Sequence, residues 1–400
     1  NYKNIMIVAH TVNSEKFDWV YALKKNDNDL KKLYAGIISR FFKKVDNGSK
    51  YQGFIINEIE SLNTFYTDID GLVLITKNKY LLEVFIDHVL SFEDIRNRPS
   101  FNDVYLLTKK SKSSVAYFDH DKISYIDNEI LKEYGRSILK KALLGTSWAA
   151  LDINKDNNHV SFNGFINYKK DILDVSKSSF LDHKAKEFTL FNSFTDNIIF
   201  YYLITFSREN PLLYNNKNDV MSLFIQECYE GELAFLKVSD NVHDQFMILK
   251  IDENAFYENI HSMNLNLHDS IYESKIYSSD SMISSFIRFL DISIPGIEEL
   301  QKAKKIYFSI YKGFLILNNS PSGIIKYLNN LKNGNLLTKN IDYIKFSDKY
   351  ISSESNCLFF YDAIKGKALR NKIINKKGNQ SKGLFSSKNK FYLLELNNYK

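Results

Sequence analysis

The sequence predicts an α+β fold: two weakly similar units in tandem, each with mainly antiparallel sheets covered by helices. Three observations carry this expectation. First, apolar islands recur in one order along the 400 residues. Ile5-Met6-Ile7-Val8 returns as Phe246-Met247-Ile248-Leu249, 241 residues later, and Gly71-Leu72-Val73-Leu74-Ile75 returns as Gly313-Phe314-Leu315-Ile316-Leu317, 242 residues later. At that second offset Phe101 meets Tyr343, Val104 meets Phe346, and Val115-Ala116-Tyr117-Phe118 meets Cys357-Leu358-Phe359-Phe360. Phe165-Ile166-Asn167-Tyr168-Lys169 meets Leu396-Asn397-Asn398-Tyr399-Lys400 at an offset of 231. A repeat this long marks duplicated domains, not a solenoid. Second, the strand patterns come in adjacent runs with helices grouped between them, which favours antiparallel sheets over a doubly wound parallel one. Third, the chain is too long for one comfortable core, so two domains of roughly 200 residues are expected.

The first unit, residues 1–180, opens with a strand over 4–10. Ser14 reads as an N-cap, with Phe17, Val20, Tyr21 and Leu23 on one face of the helix it starts. A second helix is expected over 29–44, burying Leu30, Leu33, Ile37, Ile38 and Phe41. Strands follow over 51–59, 62–68 and 70–76. Gly71 parts the last two, where a tight turn needs a residue tolerant of positive φ. Helices over 78–90 and 100–108 precede a strand over 113–118, and a further helix is expected over 127–143. Strands 147–154 and 158–167 close the unit, joined by the polar turn Lys155-Asp156-Asn157-Asn158.

The second unit, residues 181–400, is expected to follow suit. Its strands fall over 187–206, 232–238, 245–251, 270–279, 283–289, 303–310, 313–318 and 355–361. Its helices fall over 253–262, 321–331, 339–348 and 362–374, and a hairpin over 383–397 ends it. The stretch Phe188–Asp240 has no counterpart before Ile5, so the first unit is expected to lack its opening strands. The least patterned joint, 169–186, sets the boundary.

Composition narrows the function classes. Apolar residues make up 44% and aromatics 14%, enough for packed cores and against wholesale disorder. The net charge of +6 is mild for this length and does not point to nucleic acid. Basic residues do concentrate late: from Ala363 to Lys400 the single carboxylate side chain is Glu395, against a run that includes Lys376, Lys377 and Lys382. A loop over 365–390 with these lysines is a candidate contact for anionic surfaces, and equally a solvated loop. Cys228 and Cys357 make no disulfide framework. No window approaches eighteen uninterrupted apolar residues, so no membrane-spanning segment is expected, while peripheral association stays open.

Chemical constellations are sparse. Asp119-His120-Asp121 flanks an imidazole with two carboxylates, yet neighbours on a strand end point apart; it reads as an exposed polar turn. Asp152-Ile153-Asn154-Lys155-Asp156-Asn157 resembles the start of a calcium loop but lacks the glycine at the sixth position and has Asn163 where the closing glutamate belongs. It reads as a turn between strands. The eight histidines show no metal-ligand spacing, and there is neither a phosphate-cradling glycine loop nor a nucleophile elbow. The sequence therefore nominates no catalytic residue, no cofactor and no metal. Trp148 is the most distinctive single residue, read as packing across the sheet, with a ligand-stacking surface as the other possibility.

Several segments together resemble an uncharacterised bacterial envelope family, the domain of unknown function 3352, common in Bacteroidetes. They are Asp70-Gly71-Leu72-Val73-Leu74-Ile75 with the Leu82–Phe85 helix and Phe101; Trp148-Ala149-Ala150-Leu151-Asp152 with Asn163-Gly164-Phe165; and Asn335-Leu336-Leu337 to Tyr343 with Asn356 to Tyr361. The resemblance implies a periplasmic or outer-membrane-associated location, and it supplies no catalytic residues. The expectation is a non-catalytic binding or assembly component with a protein partner in a larger complex. The alternatives are a hydrolase with its site between the units and an anionic-surface binder acting through the basic loop.

Overall fold

A computed structural model describes residues 5–13, 16–24, 48–111, 114–120, 146–156, 159–168, 186–205, 227–239, 244–259, 266–268, 276–279, 298–352, 354–373 and 391–397, with a few isolated positions between them. The chain is α+β with antiparallel sheets, and it clusters into two compact units. One comprises 1–102 with 122–126, the other 103–121 with 127–400.

The smaller unit holds six strands: β1 (Ile5–Asn13), β2 (Lys16–Lys24), β3 (Ser49–Tyr51), β4 (Phe54–Ile59), β5 (Thr64–Ile69) and β6 (Leu72–Thr76). They lie in the order β1-β2-β6-β5-β4-β3. Helix α1 (Lys79–Leu90) covers one face, packing Leu81, Leu82 and Ile86 against Val20, Ala22, Ile56 and Leu74. Asn78 starts this helix by accepting the Tyr80 N–H at 3.1 Å, which satisfies an otherwise orphaned amide.

The helix expected after Ser14 is instead strand β2. Val20 and Ala22 are buried while Trp19 and Tyr21 are exposed, a period of two. The apolar set Phe17, Val20, Tyr21 and Leu23 fits helical spacing by accident. The aromatic and β-branched side chains of this stretch suit a pleated surface, and pairing with β1 and β6 decided the outcome.

The larger unit begins with the rest of helix α2 (Pro99–Thr108) and contains β7 (Ser114–Asp119), β8 (Thr146–Asp156), β9 (His159–Tyr168), β10 (Phe200–Thr205), β11 (Tyr229–Lys237), β12 (Gln245–Ile251), β13 (Asn266–His268), β14 (Ile276–Ser279), β15 (Ile306–Tyr311), β16 (Phe314–Asn318), β17 (Cys357–Asp362) and β18 (Phe391–Asn397). They form one sheet in the order β13-β14-β15-β16-β12-β11-β10-β17-β18-β9-β8-β7. Every neighbouring pair is antiparallel except β18 and β9. That parallel pairing places β7, β8 and β9 in the larger unit, so the compact units part the chain differently from a boundary at residue 180.

Helices α5 (Pro321–Lys332) and α6 (Ile341–Tyr350) cover one face of the large sheet. There Ile324, Tyr327, Leu328, Leu331, Tyr343 and Phe346 pack on Tyr201, Leu236, Phe246, Ile316 and Phe360. On the opposite face α3 (Glu253–Asn259) and α4 (Glu298–Lys302) contribute Phe256 and Leu300 to a cluster around Phe235, Met247, Phe308 and Leu317. A short helix, α7 (Lys367–Ile373), follows β17.

The six strands β11-β12-β16-β15-β14-β13 of the large sheet repeat the order β1-β2-β6-β5-β4-β3 of the small one. The hairpins match in detail. β5 and β6 are joined by Asp70-Gly71 at φ of 49° and 81°, β15 and β16 by Lys312-Gly313 at 51° and 79°. Positive φ at both central residues is the turn whose twist suits a two-residue hairpin, and glycine adopts it without a Cβ penalty.

The strand topology also revises parts of the recurrence. Next to β16 lies β12, carrying Phe246–Leu249, and next to β6 lies β2, so the place of Phe246–Leu249 is held by β2 and not by Ile5–Val8. The pair Phe165–Lys169 and Leu396–Lys400 is revised likewise. β18 lies beside β17 as β8 lies beside β7, whereas β9 and β18 are parallel neighbours with Phe165 opposite Asn397.

Other expectations meet the structure unevenly. The strand expected over 187–206 divides into a 3-10 turn, Leu190–Ser193, and β10. The helices expected over 29–44 and 127–143, the strand over 283–289, the first arm of the 383–397 hairpin and nearly all of the 169–186 joint lie outside the described residues.

Candidate binding surface

The large sheet ends at β7, which pairs with β8 alone among the described residues. Its sequence, Ser-Val-Ala-Tyr-Phe-Asp, is half-buried over Val115–Asp119. Helix α2 braces it from one face. The Tyr117 hydroxyl lies 2.9 Å from Thr108 Oγ1, and the Tyr117 ring lies 6.3 Å from that of Tyr105. Thr108 itself bonds back to the Val104 carbonyl at 2.9 Å, the i−4 pattern common for threonine in helices.

Strand β17 provides the comparison, because it lies beside β18 as β7 lies beside β8. β17 has a second partner, β10. Leu203 sits opposite Leu358, and Tyr201 opposite Phe360, with the Tyr201 and Phe360 rings stacked at 5.0 Å. The Tyr201 hydroxyl meets that of Tyr343 on α6 at 2.9 Å. Covered in this way, Leu358, Phe360 and Asp362 are 0%, 1% and 2% exposed. Phe360 also packs edge-on against Tyr343 of α6, as Tyr117 meets Tyr105 of α2. Because successive strand residues face opposite sides, this aligns Tyr117 with Phe360, one residue away from the alignment that pairs Phe118 with it.

The remaining polar groups near this end of the sheet hold the backbone together. His120 is buried, and its Nδ1 bonds Thr146 Oγ1, so this histidine does not lie in the exposed turn expected for it. A histidine bonded inside the fold is less available as a ligand. Trp148 lies half-buried on β8, opposite Asp119. Ser147 Oγ donates to the Asn167 carbonyl at 3.2 Å, and Asn167 Nδ2 donates to Asp103 at 3.0 Å.

Asp152 Oδ1, Ser161 Oγ and Asn163 Oδ1 are buried without a hydrogen-bond partner. Asp152 lies opposite Asn163 and Asn154 opposite Ser161, which puts them on one face of the β8–β9 hairpin. This segment forms a hairpin as expected, and of its two aspartates Asp152 is the one among these buried groups. Among the described residues no group of three or more His, Cys, Asp or Glu gathers to hold a metal.

Lys376, Lys377 and Lys382 lie outside the described residues, and with them most of the 365–390 loop. Lys365, at its start, is tied down: it donates to the Asp196 carbonyl and sits 3.6 Å from the buried Asp362 carboxylate. The large pKa displacements fall on Tyr327 and Tyr343, pushed upward by burial in the core under α5 and α6. These are packing tyrosines, not a converging acid and base.

No helix among the described residues is long and apolar enough to cross a membrane. Comparison of the chain with protein-family models, with curated proteins and with solved structures finds no match. The geometry of the sheet therefore has to speak for the function. What sequence reasoning missed is the β7 edge: alternation along a strand reveals its faces, while strand order follows from contacts far apart in sequence.

Proposed function

We propose that the protein is a non-catalytic binding component of a larger assembly in a bacterial cell envelope, built from two copies of one α+β unit. The observation that carries this reading is the end of the large sheet, where the apolar strand β7, braced by α2, pairs with β8 alone among the described residues and is half-buried along Val115–Asp119. Unpaired strand edges are ready templates for another chain, and proteins ordinarily blunt them with charge, proline or a covering element. β7 carries no lysine, arginine or proline. The matching strand orders of the two sheets support the duplication, and the resemblance to the envelope family supports the location.

The test is affinity isolation of the native protein from its own envelope fraction, with quantitative mass spectrometry and size analysis, followed by reconstitution from purified components. A stoichiometric partner that reassembles is the expected outcome. A clean monomer that reassembles with nothing would sink the proposal.

A further inference from the structure

We infer that the polar face of the β8–β9 hairpin holds a hard divalent cation, calcium by its chemistry, bound by side-chain oxygens of Asp152, Ser161 and Asn163. The site is independent of the assembly reading, and a cation held here fastens strands without taking part in a reaction.

Strand pairing gathers these residues on one face. Asp152 lies opposite Asn163 and Asn154 opposite Ser161, while Ile153 and Phe162 pair on the other side. Across β9, the parallel pairing sets Glu395 of β18 at Asn163, a second acidic residue in the same cross-strand row. That row runs into apolar positions at both ends, Val115 on β7 and the fully buried Leu358 on β17. Asp152 and Asn163 are also the first and twelfth positions of the calcium-loop pattern in the sequence. Antiparallel pairing, in place of a loop, brings them side by side.

What these oxygens lack decides what they take. Ser161 is 0% exposed, and its Oγ, Asp152 Oδ1 and Asn163 Oδ1 are buried with no hydrogen-bond partner. A carboxylate oxygen and an amide oxygen only accept, so they cannot satisfy each other. No lysine, arginine or histidine among the described residues pairs with Asp152. Buried charges are ordinarily paired or coordinate a metal, because leaving them bare is costly. Three oxygens, with no nitrogen or sulfur among them, select a hard cation over zinc or copper. Calcium suits them better than magnesium: it accepts a flexible shell of about six to eight oxygens, neutral ones included, where magnesium demands a near-ideal octahedron and keeps its waters. Two of the three ligands are neutral, which is why the site needs no cluster of acidic or histidine side chains. Asp152 and Asn163 are half-buried as residues, so the ion has a way in and waters can complete its shell. With so few carboxylates the affinity falls in the weak class, a Kd of about 10⁻⁴–10⁻³ M.

Calcium titration of the chelator-treated 400-residue protein tests this, followed by calorimetry and thermal unfolding, with magnesium at equal ionic strength as the control. A single calcium per chain should bind, and the melting temperature should climb with calcium concentration, as binding to the folded state alone requires. Asp152→Asn should weaken binding at least about tenfold, because it removes the ligand charge. Ser161→Ala adds a test of sign. In chelator it should melt above the wild type, since nothing then bonds the hydroxyl; in saturating calcium that advantage should shrink or reverse. Absence of calcium binding would overturn the inference and leave the oxygens to water. Calcium binding untouched by either substitution would place the ion elsewhere and overturn it too, as would an equal response to magnesium.

Discussion

Glu232 makes a sharp test of how the large sheet is held. The residue is 3% exposed, and the carboxylate is engaged at both oxygens. Oε2 accepts the Thr189 N–H at 2.7 Å and the Leu190 N–H at 2.9 Å, while Oε1 accepts the Thr189 hydroxyl at 2.8 Å. This lock ties β11 to the 3-10 turn that leads into β10. Glu232→Ala orphans two backbone donors at about 1–3 kcal/mol each, so a loss of about 2–6 kcal/mol is expected. The Lys250 ammonium, 3.6 Å from Glu232 and 3.7 Å from Glu230, keeps a second carboxylate and adds little to the loss. Glu232→Gln keeps an acceptor for both amides and lets the Thr189 hydroxyl reverse its role, so it should cost only about 1 kcal/mol. Urea unfolding of the three proteins measures the differences, with amide exchange at Thr189 and Leu190 as the local readout. A loss below about 1 kcal/mol for the alanine variant, or equal losses for both variants, would refute the reasoning.

Three further outcomes follow from the same geometry. Burial raises the pKa of Tyr327 in the folded state, so above the unfolded value of 10.0 the unfolded chain releases a proton that the folded chain keeps, and stability must fall with rising pH. Tyr327→Phe should remove about 1.4 kcal/mol per pH unit from that alkaline slope, while losing its bond to the Ser193 carbonyl at neutral pH; unfolding curves with unchanged slope would count against it. A methyl on Gly164 would lie 2.0 Å from the Ala150 carbonyl oxygen, so Gly164→Ala should cost about 3 kcal/mol or more by prying β8 from β9. Gly71→Ala meets nothing within 4 Å and carries only the strain of a φ of +81°, about 1–2 kcal/mol, so calorimetry should rank Gly164→Ala as the worse. Ser161→Ala removes a buried hydroxyl that lacks a partner, and should raise stability by about 1 kcal/mol; a clear drop in melting temperature would show that the hydroxyl is bonded after all.

Local chemistry made much of the architecture legible. The helix behind Asn78 was readable because its apolar residues keep helical spacing, and the turn at Gly71 because the chain needs φ > 0 there. The strand over 16–24 was not, since Phe17, Val20, Tyr21 and Leu23 keep a helical spacing that is set aside only by burial at Val20 and Ala22 with Trp19 and Tyr21 exposed. His120 was misjudged for the opposite reason. Its neighbours Asp119 and Asp121 are polar, and nothing nearby announces that Thr146, far along the chain, will bond the ring inside the fold. As for the candidate surface, Trp148 belongs to the strand beside β7, but the lysines of the basic loop could not guide the search to the strand edge.

The recurrence of islands shows why a repeat must be read in strands before residues. Apolar strands resemble one another wherever they occur, so Ile5–Val8 matches Phe246–Leu249 in hydrophobicity although β2 holds the corresponding place beside β6. Offsets of a single residue are as consequential, because they exchange the two faces of a sheet. Val115-Ala116-Tyr117-Phe118 slid against Cys357-Leu358-Phe359-Phe360 would send Tyr117 to the face opposite α2, where its hydroxyl could not reach Thr108. Shifted by one, Tyr117 and Phe360 both turn to a helix, and the comparison then isolates one large difference between β7 and β17: the strand β10. Ile199, just before β10, donates its N–H to the Lys237 carbonyl and accepts the Asp362 N–H, both at 2.7 Å, which helps tie β11 and β17 into one sheet. β7, which pairs with β8 alone among the described residues, is half-buried along Val115–Asp119. A strand beside such an edge removes apolar surface from solvent and completes the backbone bonding in one step, as β10 does for β17.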